Sequence, residues 1–136
     1  MSKMSDFLEV ELRKHIFRTG SFTKPAALHI SLHTADPTDA AGGAEVVGGA
    51  YARVQRDPAD ANWSAPDATG GLTDNVAAIT FPAPTANWGV VTHFAIWDAA
   101  VAGNMLAHGQ LTTPKTINSG DAAPSFAIGA LDVTFQ

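Results

Sequence analysis

The sequence has no cysteine among its 136 residues. That excludes a disulfide framework, thiolate metal sites and cysteine nucleophiles together, and it is compatible with synthesis in a reducing cytosol. Charge is also scarce: 15% of residues are Asp, Glu, Lys or Arg, and the formal net charge is -5. With only eight Lys and Arg, the chain lacks the basic surface that neutralises a phosphate backbone, which argues against a nucleic-acid partner. No apolar run reaches membrane-spanning length, and Asp6, Glu9, Glu11, Arg13 and Lys14 interrupt any signal-peptide core near the start. Neither a membrane partner nor export by that route is expected.

The motifs of common chemistries are missing as well. There is no Gly-x-Ser-x-Gly elbow to present a serine nucleophile, and none of the paired glycines leads into the Lys-Ser or Lys-Thr of a phosphate loop. Asp57, Asp60, Asp67 and Asp74 do not follow the ligand spacing of a calcium loop. His29 and His33, four apart on one strand face, lie about 13 Å from each other, too far to share a metal. Asp98 and Asp132 are the carboxylates with apolar flanks, and each reads as a strand-end or outward-facing acid. The expectation is a protein that is not an enzyme, with no catalytic residue, no metal and no cofactor.

What the chain does contain is alternation. In Val91-Thr92-His93-Phe94-Ala95-Ile96-Trp97-Asp98 the side chains divide between two faces, both mostly apolar, so the run predicts a central strand. Phe94 and Ile96 are expected in an inter-sheet core, with His93 and Trp97 covered by a loop, a helix or another subunit. Residues Ala26 to Thr34 predict a second strand, with Leu28, Ile30 and Leu32 inward and Ala27, His29, Ser31 and His33 on a face polar enough to be wet. Shorter strands are expected at 51–56, 75–81, 105–111 and about 125–135. Gly103-Asn104 reads as a hairpin turn, Pro114 as another turn, and Gly129 as a bulge or bend.

One helix is expected over about 6–18. Leu8, Leu12 and Ile16 form its apolar stripe with Phe7 beside it, Ser5 or Asp6 caps it, and Gly20 ends it. Arg13, Lys14, His15 and Arg18 gather at its C-terminal end, where they complement the helix dipole and can meet an acidic partner in a neighbouring subunit. The whole reads as a single domain: mainly β, an antiparallel β-sandwich or jelly-roll-like partly open barrel over about 26–136 behind one N-terminal α-helix. Trp63 and Trp88, set among Pro, Asn and Ser, are the aromatic residues with a loop setting suited to an interface.

A resemblance adds a role. Ser31-Leu32-His33-Thr34-Ala35-Asp36-Pro37-Thr38-Asp39, Gly48-Gly49-Ala50-Tyr51-Ala52-Arg53-Val54, Ile79-Thr80-Phe81-Pro82, Trp88-Gly89, Thr92-His93-Phe94-Ala95-Ile96-Trp97-Asp98 and Leu111-Thr112-Thr113-Pro114-Lys115-Thr116-Ile117 together resemble a family of small virion proteins from tailed bacteriophages. Members are often labelled tail fibre proteins, and similar small β proteins serve as capsid decoration or cement proteins. The resemblance covers nearly the whole chain. It implies a structural protein of the virion, made in the host cytoplasm. The preferred expectation is a capsid decoration protein on the outer surface of the capsid, bound to the major capsid protein as a homo-oligomer, with a trimer suited to threefold positions. The alternative is a small tail fibre, tail-tip or baseplate component that binds a host receptor or tail proteins. Phe7, Arg13, Lys14, Arg18, Trp63 and Trp88 are the candidate subunit or capsid contacts.

Overall fold

The computed structural model describes residues 2–135. In chain order these form β1 (Ser2–Met4), α1 (Asp6–Phe17), β2 (His29–His33), β3 (Val54–Gln55), β4 (Ile79–Thr80), β5 (Gly89–Trp97), β6 (Met105–Ile117) and β7 (Ser125–Phe126). Five strands make one antiparallel sheet in the order β1-β6-β5-β2-β3, and β4 pairs with β7 in a second sheet. The fold is therefore mainly β, in two unequal layers and without a closed barrel.

Apolar alternation places the centre of the larger sheet. Ile30 pairs with Ile96 and Leu32 with Phe94 across β2 and β5, and these four enter one core with Ile79, Phe81, Trp88, Ile117 and Leu131. Phe126 of β7 meets Phe94 edge-on at 6.1 Å, so the small sheet seals the face that the large one turns inward. Such edge-to-face packing contributes beyond the area buried.

The strand β6 is longer than its sequence suggests and passes straight through Pro114. The expected turn is absent because the β5–β6 register slips between Val91 and His93, whose partners are Lys115 and Gln110. Residues 111–114 of β6 occupy that slip, so Pro114 removes no ladder hydrogen bond there. The same irregularity turns Val91 into the core alongside Phe94 rather than onto the face of Trp97. Gly103-Asn104 does form the hairpin: the backbone N–H of Asp98 donates to Asn104 O, and both Asp98 carboxylate oxygens accept from Asn104.

Two expected strands shrink. The stretch 75–81 keeps the two-residue strand β4 and an isolated bridge from Asn75 to Trp63, and the fully buried side chain of Asn75 serves as a bracket. Its Nδ2 donates to Ala77 O and Ala127 O, and its Oδ1 accepts from Leu131 N. The final stretch breaks at Gly129, whose φ of +68° suits glycine. That bend, expected from the sequence, brings Phe126, Leu131 and Val133 into one core despite their opposite parities.

Helix α1 begins as expected and ends differently. Ser5 caps it, accepting from Leu8 N, while Ser5 N donates to Leu106 O and Ser5 Oγ donates to Met105 O, which pins the first turn to β6. It closes at Phe17 with Arg18 in an extended conformation as the C-cap. Gly20 serves the return of the chain instead, passing so close to Lys14 that a Cβ would lie 3.0 Å from the Lys14 Cβ.

Removing the Asn75 side chain strands Ala77 O and Leu131 N, while Ala127 O keeps the Ala130 N–H. Asn75→Ala is expected to lower unfolding free energy by about 2–4 kcal/mol, measured by urea denaturation, where a loss within about 0.5 kcal/mol would show that the tail docks by apolar contact alone.

Candidate interaction surface

The second face of β2 is dry, against expectation. All five residues of the strand are buried, because the loop after it folds over the sheet and supplies partners for the polar side chains. His33 Nδ1 lies 3.0 Å from Gly43 O, its Nε2 lies 2.8 Å from Ser31 Oγ, and Ser31 Oγ accepts from Trp97 Nε1 at 2.8 Å. The His33 and Trp97 rings stack at 6.5 Å. A serine beside a histidine invites a nucleophile reading, but Ser31 and His33 are both 0% exposed. The pair is a strut inside the protein.

Arg53 locks the cover in place. Its Nε and Nη2 donate to the two carboxylate oxygens of Glu45 at 2.9 and 2.8 Å, and its Nη1 donates to Ala99 O and Ala102 O at 2.9 Å each. The guanidinium sits 3.9 Å over the Trp97 ring. Planarity, a five-donor fork and weak hydration make arginine suited to all three contacts at once. Burial works against the ionised form of Glu45, yet hydrogen bonds from Arg53 and Tyr51 outweigh it and hold the carboxyl below its ordinary range. Burial also raises the Tyr51 phenol, whose O–H donates to Glu45 Oε1 and accepts from Leu32 N.

Histidine and carboxylates also meet at a second point. His108, nearly buried, has Nε2 2.8 Å from Asp39 Oδ1 and Nδ1 3.2 Å from Asp36 Oδ1. The Thr38 backbone N–H holds the Asp36 carboxyl below its usual range, against the opposing effect of burial. Asp98, which a His-Asp hydrolytic pair would need, is occupied by the Asn104 turn. Among the described residues, no group of three or more His, Asp or Glu side chains is arranged to hold a metal ion.

The open features lie on the other face. Helix α1 is fixed at its start, but residues 13–19 are all exposed. Ile16, expected on the inward stripe, is 66% exposed and Phe17 is 79% exposed. The reason is reach: the helix meets β6 and β1 and its later turns pass beyond the sheet, leaving Leu8 as its one buried residue among those described. Beside it runs an apolar groove of about 890 Å³. Leu8 and Leu12 form one wall, Trp63 and Pro66 the other, and the buried Ile96 and Leu106 the floor.

The candidate contacts therefore separate. Arg13 and Lys14 lie on the exposed arm, each paired along the helix, with Glu9 at 3.1 Å and Glu11 at 2.8 Å. Exposed pairs of this kind contribute little and are easily exchanged. Arg18 is exposed at the helix end. Phe7 is half-buried in a small recess with Asp39 and Met105. Trp63 is half-buried, lines the groove, and donates from Nε1 to Asp57 O at 3.2 Å. Trp88 is corrected: it lies in the core at 5% exposure, its Nε1 donating to Gly49 O at 2.9 Å. Gly49, at φ +56°, lets the backbone approach that ring, since a Cβ there would stand 2.9 Å from the indole nitrogen. An indole closed in this way has no face left for a second molecule.

Phe17 and the groove were not singled out by the sequence, and Ile16 was placed on the inward stripe. The available signal was adjacency: neighbours on a helix point about 100° apart, so Ile16 and Phe17 cannot both follow the stripe of Leu8 and Leu12.

Acid should loosen the cover. Burial pushes His33 below its ordinary 6.5, with Glu45 and the Gly43 carbonyl opposing and Arg53 and His93 assisting. Below pH 6.5 the unfolded chain gains a proton that folded His33 refuses, so stability falls with pH until the folded value is reached; Glu45 extends the loss below pH 4.5. The melting temperature should drop between pH 7 and 5, and His33→Asn should flatten that slope; equal slopes would remove His33 from the account. Arg53→Lys, which cannot serve Glu45, two carbonyls and Trp97 together, is expected to cost about 2–4 kcal/mol in denaturant titration.

A sequence-family model described as podophage GP4 fiber I protein gp80 matches residues 3–134. A search of curated proteins finds no match.

Proposed function

The chain belongs to the podophage GP4 fiber I protein gp80 family, and on that premise we propose that it is a small head or adaptor module of a virion fibre, working by subunit packing rather than by chemistry. Membership makes it a bacteriophage structural protein associated with the virion. The observation that carries the finer reading is the pairing of an exposed arm with an apolar groove, beside polar clusters that are buried and engaged with one another. Contiguous apolar surface of this kind suits a protein that is covered in its working state. We further propose a homo-oligomer, a trimer first, as a cyclic assembly presents several copies of one surface to a partner.

A shaft role fits poorly. Fibre shafts rely on sequence repeats or long coiled coils, while this chain has no evident repeat and α1 has 12 residues. The arm and groove also suit a second reading, a capsid decoration protein docked on the major capsid protein, and it is the family's description as a fiber protein that favours the fibre. Among the described residues no helix is long and apolar enough to cross a membrane.

Imaging of intact particles with an antibody label tests the choice. Label on tail appendages, in small numbers per particle, is expected. Dense label over the head would replace the fibre reading with decoration.

A further inference from the structure

We infer that the exposed end of α1 in one copy docks into the apolar groove of a second copy, making a head-to-tail contact between subunits. This rests on the oligomeric reading above and supplies its contact. Two independent features agree on the occupant. The first is apolar: Ile16 and Phe17 stand out from the surface and take no part in lining their own groove, whose walls and floor are apolar. The second is charge. Residues 13–18 hold Arg13, Lys14 and Arg18, three of the eight cations of the chain, and no carboxylate, whereas Lys24 lies among the residues that line the groove. Residues 57–74, which include the Trp63 and Pro66 wall, hold Asp57, Asp60, Asp67 and Asp74 and no Lys or Arg.

An overall acidic chain that sets three cations around its most exposed aromatic side chain, and four acids in the segment that supplies one wall of an apolar groove, is complementary to itself. Apolar insertion supplies the affinity, and the charges set orientation and rate of encounter. Because arm and groove are different surfaces, the contact is heterologous. It closes into a ring if the rotation per copy allows, a trimer included, and otherwise runs on as a filament.

The chain, free of cysteine, allows a direct test. Sedimentation should show concentration-dependent association that weakens as salt rises. Phe17→Asp, at a position open enough to leave the melting temperature unchanged, should raise the dissociation constant at least about tenfold. With a short bismaleimide, a chain carrying both Phe17→Cys and Ala65→Cys should join into species of three or more copies, while each single variant should not. A chain monomeric at every concentration, association indifferent to Phe17→Asp, or dimers from Phe17→Cys alone would each overturn the contact. An oligomer that ignores Phe17→Asp would do so while leaving the oligomeric fibre reading intact. Loss of virion incorporation by Phe17→Asp from a chain that is monomeric in solution would assign the arm to another virion protein and overturn self-docking.

Discussion

The position of Arg53 is the constraint on which the arrangement depends. One guanidinium satisfies Glu45, two hairpin carbonyls and the face of Trp97, so it joins the segment before β3, the loop after β2 and the turn between β5 and β6. Its side chain is 6% exposed, and a charge so far from water persists only when nearly every donor is engaged. The loop it holds needs holding. Thr38, Ala41, Ala44 and Ala50 all adopt positive φ, a conformation that costs non-glycine residues about 1 kcal/mol or more each. A freely moving segment would relax out of those angles. Tied at Glu45 and Arg53, it stays, and the polar face of β2 is kept from solvent.

This division explains why the molecule has one closed side and one open side. Under the loop, serine, histidine and tryptophan complete one another's hydrogen bonds. On the opposite side the helix spans only part of the sheet, and its outer turns are stabilised by local hydrogen bonding and side-chain pairs rather than by packing. An isolated helix of this length is marginal in water. Its clamped N-terminal end and its potential contacts beyond the domain are thus two halves of one design, in keeping with a family whose members are parts of a larger structure.

The elements visible in the sequence were those whose own periodicity decides their environment. The helix start at Ser5, the Phe94–Ile96 core, the Gly103-Asn104 hairpin and the bend at Gly129 all follow from local patterns that the rest of the chain does not contradict. Elements decided by distant partners were hidden. Strand β1 is three residues long and exists through its pairing with β6. Pro114 escapes its usual meaning because of a register slip two strands' length away in the chain. His29, Ser31 and His33 look wet until a loop ten residues on is folded over them, and Trp88 looks like a loop aromatic until Gly49 approaches it. The groove was illegible for the same reason, as its walls come from segments some fifty residues apart, whereas the basic arm could be read directly.

Ser2 and Thr134 are bound to each other: the Ser2 hydroxyl donates to Thr134 O and accepts from Thr134 N, each at 2.6 Å. Residues 132 positions apart thereby meet at one point on the edge of the sheet, and the backbone between them traces a nearly closed circuit. Topologically, the domain has no privileged beginning. A short peptide linking those residues would complete the circuit, and the exposed Gly70-Gly71 turn offers a place to open it again, so the order in which the strands leave the ribosome is separable from the architecture they build.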